Sequence, residues 1–470
     1  MIRSETFSSW IDWSRKFLAV GFGLSLILVL LLAWKAPSIL FFLPILLIGS
    51  TVAWQLFKYP TLNLIVLLFG FSIVSNTQEG LQATEAMYGI YYFLSMAYWV
   101  LTHWLNRGKI IETPFDSVFL FFLLWIIASV FQTLLFGGEL KGYFSEMIAL
   151  AFLFLYFPVK ELCSKHEKGS QILIGILMFQ GFFAAIRNLM NYREIIVNAQ
   201  FAWQLEKGRV ITNEQLLLIP ALICLTLFLF EVRWKFKMGY LSGFLLFLGS
   251  LILTQSRAYW VDFAFGSFVL FFLLNWKQKA QLIGTSSLAL TFFIVLGIVF
   301  FGNLFYTVLE GLVDRLLSLG SATTSDISLI NRFMETNAVW EKIIQNPIIG
   351  YGTGVSYAVY DITFGFTQVD TFVHNGFYGI WYKFGLIGLG LLIYIWGKSI
   401  RSLFSAWLKI PLHKRATIEN LSVLMVAIAL TSLLPSATTS NPFFLKDAIM
   451  TFAVLFGAAA GLKQKMNGDE

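Results

Sequence analysis

Apolar runs close to 20 residues long recur from one end of this 470-residue chain to the other. A run of about that length is what an α-helix needs to cross a bilayer core of roughly 30 Å. Backbone polar groups inside a bilayer must be satisfied within the segment, so repeated runs of this kind predict a bundle of transmembrane helices. The composition agrees with this reading, because 58% of the residues are hydrophobic and only 13% are charged.

The runs predict an all-α, polytopic integral membrane protein with about fourteen transmembrane helices. The predicted spans are 17–34, 38–57, 60–75, 87–105, 115–136, 143–159, 170–189, 215–231, 238–254, 259–276, 282–302, 376–397, 420–435 and 447–462. They form an N-terminal set at 1–302 and a C-terminal set at 376–470, separated by one long loop at 303–375. All three parts belong to one integrated membrane domain.

The basic residues predict the orientation of this bundle. When the spans are threaded alternately, about two thirds of all Lys and Arg residues fall in short loops on one side, which the positive-inside rule makes cytoplasmic. Both termini then lie on that side, and larger loops near 190–214 and 303–375 lie on the other. The net charge of +7 is spread between the apolar runs. This distribution indicates topology rather than a nucleic-acid partner.

Six arginines remain on the predicted outer face, against the general tendency of basic residues. They are Arg187, Arg193, Arg209, Arg257, Arg315 and Arg332. A guanidinium group is a planar, permanently charged fork that binds phosphate oxygens in pairs. Several such groups outside the bilayer would suit a lipid diphosphate head group. A structural or lipid-contacting role is favoured for Arg187, Arg193 and Arg315. The other three arginines also have non-functional interpretations, such as snorkelling of the Arg257 side chain to the membrane interface.

His374 is the one histidine predicted to lie on the outer face, because the other three map to cytoplasmic loops. An imidazole titrates near neutrality, so it can accept a proton from a hydroxyl group at physiological pH. Asp370 lies four residues earlier and could orient the ring if the intervening turn is helical. Asn375 is a second candidate for a supporting role. The alternatives are a helix-capping role for His374 and a plain loop acid for Asp370.

The segment before His374 is predicted to form an amphipathic surface helix. Its apolar residues recur at helical spacing, at Ile330, Phe333, Trp340 and Ile344. Arg332 and Glu335 lie off that apolar stripe. The sequence GYGTG at 350–354 resembles a phosphate-binding loop, but it lacks the Lys-Ser/Thr pair and follows no predicted strand. It is therefore interpreted as a turn.

Four stretches of this chain resemble a known family. NRFMETNAVWEKIIQNPIIGYGTG at 331–354 and HNGFYGIWYKFGLIGLG at 374–390 are similar to the signature region of the O-antigen ligase and polymerase superfamily. The sequence SRA at 256–258 resembles the family's Ser-Arg-Gly motif, and GRVITNEQLLLIPAL at 208–222 resembles its arginine-bearing approach to the preceding helix. These proteins are bacterial membrane glycosyltransferases that act on polyprenyl-diphosphate-linked glycans. The match covers about a third of the chain.

The resemblance implies a role for each matching residue. His374 would be the catalytic base, and Arg257, Arg332 and the looser match Arg209 would bind the donor diphosphate. The enzyme would invert the anomeric centre without a metal or cofactor, and no outward His/Asp cluster with metal-ligand spacing contradicts this. The implied partners are an undecaprenyl-diphosphate-linked glycan, a glycan or lipid A core acceptor, and membrane lipids. The implied location is the bacterial inner membrane, with the site facing the periplasm and both termini in the cytoplasm.

Several functions stay open at this level, and transfer of the glycan to a protein acceptor is one that the sequence does not exclude. Ligation of the glycan to an acceptor, in lipopolysaccharide biosynthesis, is favoured slightly over repeat-unit polymerisation of O-antigen or exopolysaccharide. A transporter of the same lipid-linked sugar is disfavoured, because its ionisable residues should lie near the bilayer midplane. Asp262 and Lys383 do lie inside predicted helices, and both require partners.

Overall fold

The structure, a computed structural model, describes most of the chain. The described residues are 49, 51–52, 55–74, 83–198, 214–302, 309–310, 313 and 327–468. The first two predicted spans and the candidate residues Arg209 and Arg315 lie mainly or wholly outside this set. The chain divides into two units, 1–63 and 64–470. Little of the first unit is described.

The described chain is largely helical, and each predicted span from 60–75 onward overlaps a helix. In chain order the helices are α1 Pro60–Val74, α2 Ala83–Leu105, α3 Pro114–Leu135, α4 Leu140–Leu150, α5 Tyr156–Lys165, α6 Gly169–Asn198, α7 Gln215–Phe230, α8 Trp234–Leu253, α9 Arg257–Leu273, α10 Trp276–Phe301, α11 Ile327–Gln345, α12 Gly376–Lys409, α13 Ile418–Ser432, α14 Ser436–Thr439 and α15 Lys446–Gly468.

Seven of the described helical segments are long and apolar enough to cross a membrane, and two shorter apolar helices, α1 and α7, accompany them. The chain is therefore a helical, polytopic membrane protein. The count of about fourteen spans is not confirmed by these segments and stays a prediction.

The predicted span 143–159 is not one straight helix. It is observed as α4 and α5, joined by a 3-10 turn at Ala151–Leu155. Pro158 lacks the N–H group that would bond to the carbonyl of Phe154, which weakens a continuous α-helix at this point. The hydroxyl of Tyr92 donates to the carbonyl of Ala151 within the turn, at 2.8 Å.

Helix α15 packs closely along α5 at the centre of the bundle. A Cβ atom added at Gly457 would lie 2.5 Å from the carbonyl oxygen of Tyr156, and one at Gly461 would lie 2.4 Å from that of Lys160. This pair is a small-xxx-small pattern, which lets helix backbones approach each other. Helix α7 is buried along nearly its whole length, whereas outer helices expose side chains such as Phe131 and Phe272, as lipid-facing surfaces do.

Helix α12 is kinked at Gly385, where φ is 68° and ψ is −173°. The GYGTG turn fills the break: the amides of Tyr351 and Gly352 donate to the carbonyls of Tyr382 and Lys383, both at 2.8 Å. These amides satisfy helix carbonyls that the kink leaves without partners, so they are not arranged around a phosphate. The sequence interpretation of 350–354 as a turn agrees with this geometry.

A β-hairpin lies in the long loop, where the sequence predicted only a surface helix. Strands β1 Tyr357–Asp361 and β2 Phe366–Asp370 pair antiparallel, with Tyr357 opposite Asp370. Val339, Ile343 and Val373 are buried with Tyr357 and Tyr382 in a second small core. This core joins α11, the hairpin and the start of α12, and thereby positions the residues around His374.

Candidate active site

His374 and Glu335 form a tightly held pair at the start of α12. The imidazole Nδ1 lies 2.6 Å from Glu335 Oε2, and the backbone N–H of His374 donates to Glu335 Oε1 at 2.5 Å. An ionised carboxylate only accepts hydrogen bonds, so the ring nitrogen that faces it carries the proton. In a neutral imidazole Nε2 then keeps its lone pair. The His374 side chain is 43% exposed and that of Glu335 is 10% exposed. The arrangement presents an oriented base to solvent.

The backbone on both sides of His374 is fixed by side chains. Asn441 Nδ2 donates to the carbonyl of Val373 at 2.7 Å. Asn375 is the N-cap of α12, and its Oδ1 accepts from the amide of Tyr378 at 3.1 Å. The helix therefore begins at Gly376, and His374 lies just before it rather than within it. The observed role of Asn375 is capping.

The expectation that Asp370 orients the imidazole is wrong in this structure. That contact required a helical turn between residues 370 and 374, but Asp370 ends strand β2. Its Oδ1 accepts instead from the amides of Thr371 and Phe372, at 2.6 and 2.9 Å. The carboxylate that contacts the ring comes from Glu335, thirty-nine positions earlier in the chain.

Arg332 lies one turn before Glu335 on α11, so the two side chains share a helix face. Its Nη1 donates to the carbonyl oxygen of Thr439 at 2.9 Å. Thr439 is the last residue of the short helix α14, and Asn441, which holds the backbone next to His374, follows two residues later. The structure therefore brings His374, Glu335 and Arg332 to one segment.

The helix that begins at Arg257 is attached to the same segment. Asp262, in the second turn of α9, accepts from the amide of Ser436 at 2.8 Å. Ser436 is the first residue of α14, so this buried carboxylate has the partner that the sequence could not name. The ends of α14 thus contact α9 on one side and Arg332 on the other. Arg209 lies outside the described residues.

The other outward arginines that the structure describes lie on α6. Arg187 Nη1 is 3.4 Å from the carbonyl oxygen of Ser72 on α1, and Arg193 is exposed further along the helix. The structural or lipid-contacting role favoured for both residues from the sequence stays a prediction. Arg315 is not described.

The buried Lys383 is paired with Glu146. Its Nζ lies 2.6 and 2.7 Å from the two carboxylate oxygens, and the amide of Gly354 donates to the same carboxylate at 3.1 Å. The pair fastens α4 and the GYGTG turn to α12 beside the kink at Gly385. The sequence contained a signal for this pair. Glu146 and Lys383 each lie nearer the N-terminal end of a predicted span, and a charged side chain within a membrane requires a partner.

Tyr357 lies beside the pair but cannot replace His374 as a base. Burial, reinforced by the nearby Glu335 and Asp370 carboxylates, raises the pKa of Tyr357 above its ordinary value. Its protonated hydroxyl donates to the carbonyl of Phe372 at 2.7 Å. In the described part of the chain, no group of three or more His, Cys, Asp or Glu side chains is placed to hold a metal ion.

Glu335, Thr439 and Asn441 are the residues of this site that the sequence did not identify. Glu335 was placed off the apolar stripe of its helix with Arg332, and that shared polar face was the available signal. The predicted topology puts the connection at 436–446 on the same face as the long loop, but the contact between them depends on how helices distant in the chain pack.

Comparison with known proteins identifies the part of the chain that carries this geometry. Residues 242–393 match the O-antigen ligase family, and this range includes Arg257, α11, the hairpin and His374. An O-antigen ligase of Salmonella typhimurium is 30% identical over 210 residues, which is 43% of this chain and 48% of the relative. The match thus spans about half the length of that relative. These findings confirm the resemblance predicted from the sequence: the region of this protein that carries the candidate site is similar to the O-antigen ligase family.

Proposed function

We propose that this protein is a glycosyltransferase of the O-antigen ligase type. It transfers a glycan from undecaprenyl diphosphate to an acceptor hydroxyl, at the periplasmic face of the bacterial inner membrane. The observation that carries the proposal is the pairing of a half-exposed imidazole with a nearly buried carboxylate, His374 with Glu335, beside the arginine of α11. The match at 242–393 supports the reaction class.

Proton transfer is the step assigned to the His374–Glu335 pair. Nε2 accepts the proton of the acceptor hydroxyl as its oxygen attacks the sugar C1, and the Glu335 carboxylate stabilises the imidazolium that forms. The geometry is that of a base oriented by a carboxylate on its other ring nitrogen, which is the arrangement of hydrolytic triads. A positioned base of this kind contributes about 10²–10⁴-fold to the rate.

Departure of the diphosphate is the step assigned to the arginines. As the C1–O bond breaks, negative charge grows on the leaving diphosphate, and Arg332, Arg257 and Arg209 are the groups proposed to stabilise it. Attack by the acceptor on the face opposite the leaving group inverts the anomeric centre. The guanidinium groups supply the positive charge that the leaving group needs, so the proposed mechanism uses no metal ion.

The surface around the pair fits a lipid-linked donor. Phe333, Trp340 and Ile344 of α11 are exposed, and an exposed apolar stripe is what a helix lying in the membrane interface presents. The predicted topology, with about fourteen spans and both termini in the cytoplasm, places this surface at the outer leaflet. The isoprenoid tail of the donor would lie in the bilayer while its diphosphate meets the arginines.

The ligase reading is preferred to its alternatives. The name of the Salmonella relative, O-antigen ligase, favours transfer to an acceptor over polymerisation of repeat units. A transporter should keep ionisable groups accessible near the midplane. Lys383 and Asp262 are instead buried and engaged within the protein, by Glu146 and by the amide of Ser436.

Reconstitution of the purified protein tests this function. Proteoliposomes receive an undecaprenyl-diphosphate-linked glycan and lipid A core, and labelled product is followed for the wild type and His374→Ala. We expect glycan on lipid A core, lost in His374→Ala but retained in His413→Ala, a matched control at an exposed histidine far along the chain. Longer glycan that stays on the carrier would instead identify a polymerase. Undiminished transfer by His374→Ala would overturn the proposed base.

A further inference from the structure

A cavity of about 420 Å³ lies at the end of the bundle that contains the last turns of α12. It is bounded by the C-terminal half of α12, the start of α13 and the end of α15. The side chains that line it and carry the argument are Lys398, Arg401, Ser405, Lys409, Asn420 and Lys463. The proposed glycosyl transfer uses none of them.

The lining of this cavity is cationic and contains no acidic side chain. Lys398, Arg401 and Lys409 recur at helical spacing on one face of α12, and Lys463 joins them from α15. Within the residues that the structure describes, none of these four cations has an ion-pair partner. Neighbouring basic residues on the same end of the bundle do: Lys465 lies 3.1 Å from a Glu419 oxygen.

Position along α12 places the cavity at a membrane surface. Lys398 is thirteen residues after the kink at Gly385 and twenty-two after Gly376, so at 1.5 Å per residue the two arms of α12 together span at most about 33 Å. That length matches the roughly 30 Å of a bilayer hydrocarbon core. The cavity and His374 therefore lie toward opposite ends of one helix, and the predicted topology puts them at opposite faces of the membrane. The predicted orientation makes the face with the cavity cytoplasmic.

We propose that this cavity binds the phosphate head group of an anionic membrane phospholipid, such as phosphatidylglycerol or cardiolipin. Basic pockets between helices at the cytoplasmic surface are suited to such head groups. Ser405 and Asn420 add hydrogen-bond donors, and Ile410 and Met466 in the same lining provide apolar contact for the glycerol and the first acyl carbons. Topology alone requires basic residues on this face, but it does not require four unpaired cations to converge on one concave space.

Lipid binding to purified full-length protein tests the proposal. Native mass spectrometry and thermal unfolding in a neutral detergent are measured while phosphatidylglycerol, cardiolipin or phosphatidylethanolamine is titrated. The variant changes Lys398, Arg401, Lys409 and Lys463 to glutamine together. A matched control removes the same charge from exposed lysines outside the cavity, by changing Lys109, Lys168, Lys235 and Lys277 to glutamine.

We expect saturable binding of the two anionic lipids and at least about a tenfold weaker apparent affinity in the cavity variant, since each basic residue contributes to attraction at such a surface. The control variant should stay within about twofold of the wild type, because its exposed lysines lie outside the cavity and scattered surface charges interact weakly. Equal weakening in both variants would show general surface charge and overturn the site. Glycerol phosphate that stabilises the protein as well as the lipids do would overturn the lipid assignment in favour of a soluble anion.

Discussion

Replacement of Glu335 by glutamine tests the proposed pair directly. Glutamine keeps the shape of the side chain and an acceptor oxygen, but it removes the negative charge 2.6 Å from His374 Nδ1. A hydrogen bond to a charged group is worth about 1.5–3 kcal/mol. Because the imidazole is 43% exposed, solvent screens the charge and the lower half of that range applies. At about 1.4 kcal/mol for each factor of ten, we expect kcat to fall roughly ten- to fiftyfold.

The assay measures initial rates of glycan transfer in proteoliposomes, with kcat and KM determined separately. A residue that acts through the base should lower kcat and leave the KM for the donor nearly unchanged. The double variant of Glu335 and His374 should be no slower than His374→Ala alone, because the carboxylate has nothing left to orient. Two results would refute the reasoning: a Glu335→Gln rate within twofold of wild type, or losses that multiply in the double variant while both proteins fold normally.

Three other substitutions have expected effects on activity or stability that follow from the geometry. Arg332→Lys keeps a charge but loses the bidentate fork, so we expect about a ten- to hundredfold lower kcat/KM for the diphosphate donor, measured by the same transfer assay. Gly385→Ala should prevent stable folding, because φ is 68° and a Cβ atom would lie 2.0 Å from the carbonyl oxygen of Ile348. The control is Gly390→Ala on the same helix, where the space around the added Cβ is open. Its melting temperature should be unchanged or slightly higher. Lys383→Met leaves the Glu146 carboxylate without its partner and should lower the free energy of unfolding in urea by about 3–5 kcal/mol. Glu419→Gln breaks the exposed pair with Lys465 and should lower it by less than about 1 kcal/mol. Equal losses in the two variants would contradict a stabilising role for the Lys383–Glu146 pair.

Elements governed by local sequence were predicted well. The helices from residue 60 onward follow the apolar runs, because length and composition decide whether a segment can cross a bilayer. The placement of Arg332 on a polar helix face also followed from helical spacing, which is a property of a few neighbouring residues. His374 was identified by its position in a loop that is predicted to face outward, and its role remains a proposal.

The parts that were missed depend on contacts between distant residues. Glu335 and His374 are thirty-nine positions apart, and only the packing of α11 against the hairpin and α12 brings them together. The hairpin itself escaped notice because the sequences of its strands, YAVYD and FTQVD, do not alternate apolar with polar residues. Asp370 was chosen as the orienting acid on sequence proximity, and the extended backbone at that point removed the basis for the choice.

The GYGTG turn has a consequence for how the enzyme would work. Tyr351 and Gly352 are hydrogen-bonded to the kinked part of α12, and Glu335 is hydrogen-bonded to His374, two positions before that helix begins. The loop and the transmembrane helix are therefore joined at both ends of the same short stretch, and neither can swing without breaking several bonds. We expect the proposed reaction to use an arrangement of residues that exists before substrate binds, so turnover should depend on how quickly the proposed donor and acceptor reach the site and leave it.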